Sequence, residues 1–156
     1  MALILAGEKE NGLSVLKAIN PAVRSEEEGF CARYKAEPYA LAGAVYSHPE
    51  HMGRGGWSNY TGSAAWYRKA VTETVFGLRL CGEGFRLEPN ITEELDGAEL
   101  ALDIRSTRYE IRYFFSKEKG IVLDGKIIET DGGKMSAYFF PFDGGEHTVD
   151  FCMRKS

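Results

Sequence analysis

The spacing of apolar residues changes part-way along the chain. In the first half, Leu13, Leu16 and Ile19 recur at helical intervals, and Asn20-Pro21 ends that segment because proline cannot continue a helix interior. Ser25 followed by Glu28 reads as a capping box that opens the next helix. Glu37-Pro38-Tyr39 introduces an apolar stretch that reaches Tyr46, with Pro38 placed where the first turn of a helix needs no N–H. His48 to Gly56 reads as a glycine-rich loop. The clearest helix starts near Gly62 and runs to about Phe76, with Tyr67, Val71, Val75 and Leu78 on one stripe and Trp66 and Ala70 beside it. So broad a face predicts burial on more than one side, and Gly77 is placed to cap the end.

From about Leu80 the period falls to two. Residues 100–105, 109–115 and 148–153 alternate apolar and polar positions, which predicts strands. Asp124-Gly125, Asp131-Gly132-Gly133 and Asp143-Gly144-Gly145 supply turns. Short strands with turns about every 10 residues predict an antiparallel sandwich. The chain reads as α+β, helices over residues 1–79 and a β-sandwich over residues 80–156. No repeat, low-complexity tract or flexible linker separates them.

Residues 1–6 read as the end of a helix stopped by Gly7. Six uncapped residues do not sustain a helix, since isolated helices below about 12 residues are marginal. The expectation is that the chain begins inside a larger structure. No apolar run approaches the ~20 residues of a membrane span, and the apolar start lacks a basic flank, so a cytoplasmic protein is expected. Net charge is −4, made of +1 over residues 1–79 and −5 over residues 80–156. No basic stripe suits nucleic acid. Cys31, Cys81 and Cys152 are odd in number and widely spaced, which fits reduced, buried thiols better than a disulfide framework.

Candidate chemistry concentrates where the loop enters the helix at Thr61-Gly62. The first N–H groups of a helix have no internal partner and attract anions. Gly62 has no Cβ to hold a phosphate away, and the Thr61 hydroxyl adds a donor. Trp57 and Tyr60 precede the helix and can pack on sugar C–H faces. Trp66 and Tyr67, by spacing, belong to the core. His48-Pro49-Glu50-His51 falls short of a metal site, which needs more ligands in fixed geometry. Glu26-Glu27-Glu28 reads as a solvated face, and Glu93, Glu94 and Asp96 as an exposed loop.

Several segments then occur in one order: Glu37-Pro38-Tyr39, Tyr46-Ser47, Gly53-Arg54-Gly55-Gly56-Trp57, residues 60–66 beginning Tyr60-Thr61-Gly62, residues 76–79, and residues 84–91. This series resembles the C-terminal part of the inverting disaccharide and oligoglucan phosphorylases. The family takes in cellobiose and chitobiose phosphorylases, and the likeness is greatest to the branch of 1,2-β-oligoglucan phosphorylases and cyclic β-1,2-glucan synthases. The resemblance implies that residues 1–79 are the last helices of an (α/α)6 barrel and residues 80–156 the C-terminal β-sandwich. It implies cleavage of a β-glucosidic bond by inorganic phosphate, a co-substrate rather than a cofactor, with release of a sugar 1-phosphate. Thr61 and Gly62 match the pair that contacts phosphate. The general acid and most sugar-binding residues of the family lie upstream of the matched region, so no catalytic residue is assigned here and the chain alone is expected to be inactive. Where some members carry a glutamine after Glu-Pro-Tyr, this chain has Ala40-Leu41-Ala42-Gly43. Expected partners are a β-linked gluco-oligosaccharide and phosphate in the complete enzyme, with the missing N-terminal part or a second copy covering apolar surface. The alternative reading is a non-catalytic carbohydrate-binding or interaction module that uses Trp57 and Tyr60. No metal, nucleic acid or membrane is expected.

Overall fold

The structure, a computed structural model, describes residues 1–37, 39–58, 61–128 and 135–155, with the backbone alone for Arg24, Ser25 and Ala137. It divides into two compact units, Met1–Val71 and Thr72–Ser156.

The first unit carries five α-helices among the described residues: α1 (Ala2–Leu5), α2 (Lys9–Ile19), α3 (Pro21–Ser25), α4 (Glu28–Tyr34) and α5 (Thr61–Lys69). Gly7, at φ +96°, turns α1 back onto α2 and lays the buried Ile4 against Gly12. Leu13 and Leu16 are buried as their spacing predicts. Asn20 does more than end α2: its side chain accepts the Ala22 N–H at 3.0 Å and caps α3, with Pro21 in the first position. The capping box does not form, because Ser25 ends α3 and α4 opens at Glu28 with no side-chain cap.

The apolar stretch from Tyr39 to Tyr46 is not a helix. The Tyr34 hydroxyl lies on it, accepting the Ala42 N–H at 3.2 Å and reaching Ala40 O at 3.5 Å, so a buried phenol takes backbone groups that a helix would use. The chain then extends as β1 (Ala44–Val45), antiparallel to β2 (Gly55–Gly56). A Cβ on Gly56 would stand 2.8 Å from the Tyr46 hydroxyl, which explains the absence of a side chain there.

The expected long helix is α5 followed by a π-helical segment, Ala70–Val75. No residue of α5 is buried, and Trp66 is 64% exposed, contrary to its expected place in the core. The expected face is covered in part: Tyr67 is half-buried and Ala70, which follows α5, is buried.

The second unit holds two sheets. β3 (Leu78–Cys81), β4 (Gly84–Leu87) and β9 (Phe140–Pro141) form one, in the order β3-β4-β9. The other runs β5-β6-β10-β7-β8, from β5 (Glu99–Ile104), β6 (Thr107–Ser116), β7 (Gly120–Leu123), β8 (Lys126–Ile128) and β10 (Glu146–Arg154). The strand expectations are met, and β6 alternates buried and exposed residues from Thr107 to Tyr113. One ladder departs from the antiparallel expectation: β10 runs parallel to β6, from Glu146 opposite Arg108 to Arg154 opposite Ser116. The long connection through β7, β8 and β9 supplies the crossover that a parallel pair requires. Phe85 of the small sheet stacks on Phe140 and meets Tyr109 of the large sheet edge-on, both at 4.9 Å between centroids. Phe85, Leu87, Tyr109, Ile111, Tyr113, Ile121, Phe140, Val149 and Phe151 fill the layer between the sheets. The turn expected at residues 131–133 lies outside the described residues. Cys31 and Cys81 are exposed thiols and Cys152 is half-buried, so burial does not account for the first two.

Candidate functional site

The expected site lies in the first unit. Thr61 and Gly62 form the exposed first turn of α5. A Cβ built on Gly62 meets no atom within 4 Å, so a ligand can reach the backbone there. Trp57 lies just before this turn, 69% exposed, at φ +57°. That left-handed backbone is uncommon for a bulky residue and is held here by a hydrogen bond from the Gly43 N–H to Trp57 O at 3.1 Å. An exposed aromatic at a strained position is the kind of feature that collects at ligand contacts. Tyr60, its expected companion, lies outside the described residues.

Glu37, which entered the sequence argument only as part of Glu-Pro-Tyr, carries part of the loop. Its own backbone N–H and the Ser58 side chain bond its carboxylate and hold its pKa below the ordinary glutamate value. Oε2 of the same carboxylate has neither solvent contact nor a hydrogen-bond partner among the described residues. Spacing gives no hint of this bond, because Glu37 and Ser58 meet only through the β1–β2 hairpin.

Beside α5 opens a cleft of about 680 Å³. Val15, Leu16 and Ile19 of α2 form one wall, residues 41–45 another, and Ser63, Trp66, Tyr67 and Ala70 the third. The lining is chiefly apolar. Burial raises the pKa of the Tyr67 phenol, while a hydrogen bond with the Asn20 side chain acts the other way. The cleft suits an apolar or aromatic face rather than an anion. Thr61 and Gly62 are not among the residues that line the cleft.

The rival features are placed as follows. His48 and His51 lie with ring centroids 6.2 Å apart on the exposed segment between β1 and β2. Among the described residues no group of three or more His, Cys, Asp or Glu is arranged to hold a metal ion. No described helix is long and apolar enough to cross a membrane. A cluster that local spacing hides lies in the second unit, where Asp124 and Asp143 flank the ring of His147.

Comparison with known proteins bears on the first unit most directly. Residues 1–77 match the family described as "Glycosyl hydrolase 94 superfamily, catalytic domain". The chain is also 29% identical over 102 residues to the cyclic beta-(1,2)-glucan synthase NdvB of Rhizobium meliloti, across 65% of this chain and 4% of the synthase. It is 24% identical over 120 residues to the 1,2-beta-oligoglucan phosphorylase of Listeria innocua, across 77% of this chain and 11% of that enzyme. Both alignments are longer than the glycosyl hydrolase 94 match, so they take in part of the strand-rich unit as well. The chain spans only a small fraction of either relative.

Proposed function

We propose that this chain is the C-terminal part of a glycoside phosphorylase-type enzyme acting on β-1,2-linked glucose chains. In that reaction a phosphate oxygen attacks the anomeric carbon from the face opposite the glycosidic bond. The C–O bond breaks, the departing oxygen takes a proton from a carboxylic acid, and glucose 1-phosphate leaves with inverted configuration. The Thr61 hydroxyl and the first N–H groups of α5, Gly62 among them, hold phosphate. Trp57, with Tyr60, stacks on a sugar ring. Residues 1–79 are the closing helices of an (α/α)6 barrel, residues 80–156 are the sandwich beyond it, and the enzyme works in the cytoplasm.

The observation that carries this reading is the open backbone at Gly62, on a helix start inside the region matched to a glycosyl hydrolase 94 catalytic domain. The β-1,2 linkage is supported by the names of both relatives. The acid that protonates the leaving oxygen is supplied by a part of the enzyme that precedes this region, so the chain by itself does not turn over. Incubation with β-1,2-gluco-oligosaccharides and phosphate should give no glucose 1-phosphate, whereas phosphate should shift the Gly62 amide resonance. Turnover by the isolated chain would overturn the first statement, and an unmoved Gly62 resonance the second.

A second reading, a carbohydrate-binding module without catalysis, draws support from the exposure of Trp57. It requires that oligosaccharide quench tryptophan emission with no phosphate present, and that Trp57→Ala remove the response.

A further inference from the structure

The first residues of β10 carry a side chain bound at both ends. His147 Nδ1 lies 2.8 Å from Asp124 Oδ2, and Nε2 lies 3.0 Å from Asp143 Oδ1. The ring is stacked on Tyr109 of β6 at 4.7 Å. Each carboxylate is itself fixed by backbone: Asp124 Oδ1 accepts the Thr148 N–H at 2.8 Å, and Asp143 Oδ1 accepts the Gly145 N–H at 2.9 Å. Asp124 belongs to the turn between β7 and β8. Asp143 belongs to the segment that leaves β9 in the small sheet and enters β10 in the large one. A Cβ on Gly145 would stand 3.0 Å from Nε2, so glycine at that position lets the segment close over the ring. Among the described residues, the groups facing the imidazole are Asp124, Asp143 and the Tyr109 ring, and two of the three are acidic.

Two carboxylates accept from one ring only when both ring nitrogens bear hydrogen, as in the imidazolium form. We propose that His147 is a proton-operated clasp on the crossover between the two sheets: protonated, it holds Asp124 and Asp143 together, and on losing its proton it keeps Asp124 and releases Asp143. Asp124 is the one retained because its contact is shorter and its other oxygen is anchored on Thr148. The departing proton leaves the Nε2 lone pair facing a carboxylate, which repels it. Gly144 and Gly145 stay attached to β6 through Gly144 N–H to Thr107 Oγ1 and Arg108 N–H to Gly145 O, so opening is confined to Asp143 and the Gly145 N–H it accepts. The two carboxylates raise the pKa of His147, and His147 lowers theirs. The clasp is complete below the ordinary histidine value of about 6.5 and is lost as pH rises through the raised value. It is also lost under acid conditions, as the carboxylates protonate through their lowered values.

The test is an NMR titration of the whole chain, in which the His147 resonance is assigned with His48→Gln and His51→Gln variants. His147 should titrate above about 6.5, and Gly145 amide protection should fall about tenfold for each unit by which Asp143 raises the His147 pKa, the share read from the Asp143→Asn variant. In Asp143→Asn the His147 pKa should drop and Gly145 protection should become independent of pH. Asp143→Asn retains the ring and its stack on Tyr109, so the comparison is made with His147 in place. A His147 pKa at or below the ordinary value would overturn the proposal, as would Gly145 protection that ignores pH in the unsubstituted chain.

Discussion

Ile4 occupies the space that a side chain at position 12 would need. A Cβ on Gly12 would lie 2.3 Å from Ile4 Cγ1 and 3.3 Å from the Ile4 backbone nitrogen. Glycine inside a helix normally lowers stability by about 0.5–1 kcal/mol relative to alanine. Overpacking typically costs about 1–3 kcal/mol, so contact with Ile4 reverses the sign. Gly12→Ala is expected to lower unfolding free energy by about 1–2 kcal/mol by denaturant titration. Gly29→Ala, in α4 with nothing within 4 Å, is the control and should raise it by a few tenths. Equal effects at the two positions would show that α1 does not rest on α2.

Gly77 is under a tighter constraint. It sits at φ +72°, and a Cβ there would fall 2.0 Å from the carbonyl carbon of Glu88, whose own N–H bonds Gly77 O at 2.9 Å. A main-chain carbonyl cannot turn aside as a side chain can. Gly77→Ala should therefore cost about 3 kcal/mol, read as a lowered melting temperature of the strand-rich unit. A loss below 1 kcal/mol would mean that β3 does not enter beside Glu88 as described.

Alkaline unfolding should depend on Tyr109. Burial, assisted by the nearby Asp143 carboxylate, pushes its phenol up to about 12. Tyr113 is moved in the same direction by burial alone. The folded state therefore holds protons that the unfolded chain gives up near pH 10, so this stability is whole below about pH 10 and is lost as pH climbs through the raised values. Tyr109→Phe also removes the bond to Pro141 O at 2.7 Å, a loss of about 1 kcal/mol at neutral pH. It should nevertheless make the alkaline limb of the stability curve shallower. An unchanged limb would place the titrating groups elsewhere.

The helical unit should associate. Trp66, Val15 and Val45 edge the cleft and are each at least half exposed, and Leu5, Tyr39 and Trp57 add apolar surface on the same unit. Apolar surface of this extent marks a place where another chain binds. Sedimentation should show an average mass that rises with concentration, and Trp66→Glu should suppress the rise. A concentration-independent monomer would count against it.

Local chemistry made parts of this fold legible. Asn20-Pro21 marked the break between α2 and α3, alternation marked β5, β6 and β10, and Asp124-Gly125 marked the β7–β8 turn. These signals work because each depends on a few neighbouring residues. The apolar run at Tyr39–Tyr46 was misleading because a distant phenol, Tyr34, takes its backbone groups. The stripe through Tyr67, Val71, Val75 and Leu78 pointed correctly to burial at Val75 and Leu78, whereas Trp66 beside it stays exposed, because spacing names an apolar face without naming what covers it. Of the candidate site, Thr61, Gly62 and Trp57 stood out as a motif. The Glu37–Ser58 bond and the approach of Asp124 to His147 were not, since both are made by chain crossings rather than by spacing.

The position of β10 bears on synthesis as well as on architecture. It fills the centre of the five-stranded sheet, between β6 and β7, yet it follows every other strand in sequence. Chains emerge from the ribosome at about 5–20 residues per second. For the seconds before β10 appears, the β5–β6 and β7–β8 hairpins have no common partner, and the inner edges of β6 and β7 stand unpaired. This unit therefore cannot acquire its main sheet progressively during translation, and the interval in which those edges can recruit a neighbouring nascent chain closes only when β10 inserts.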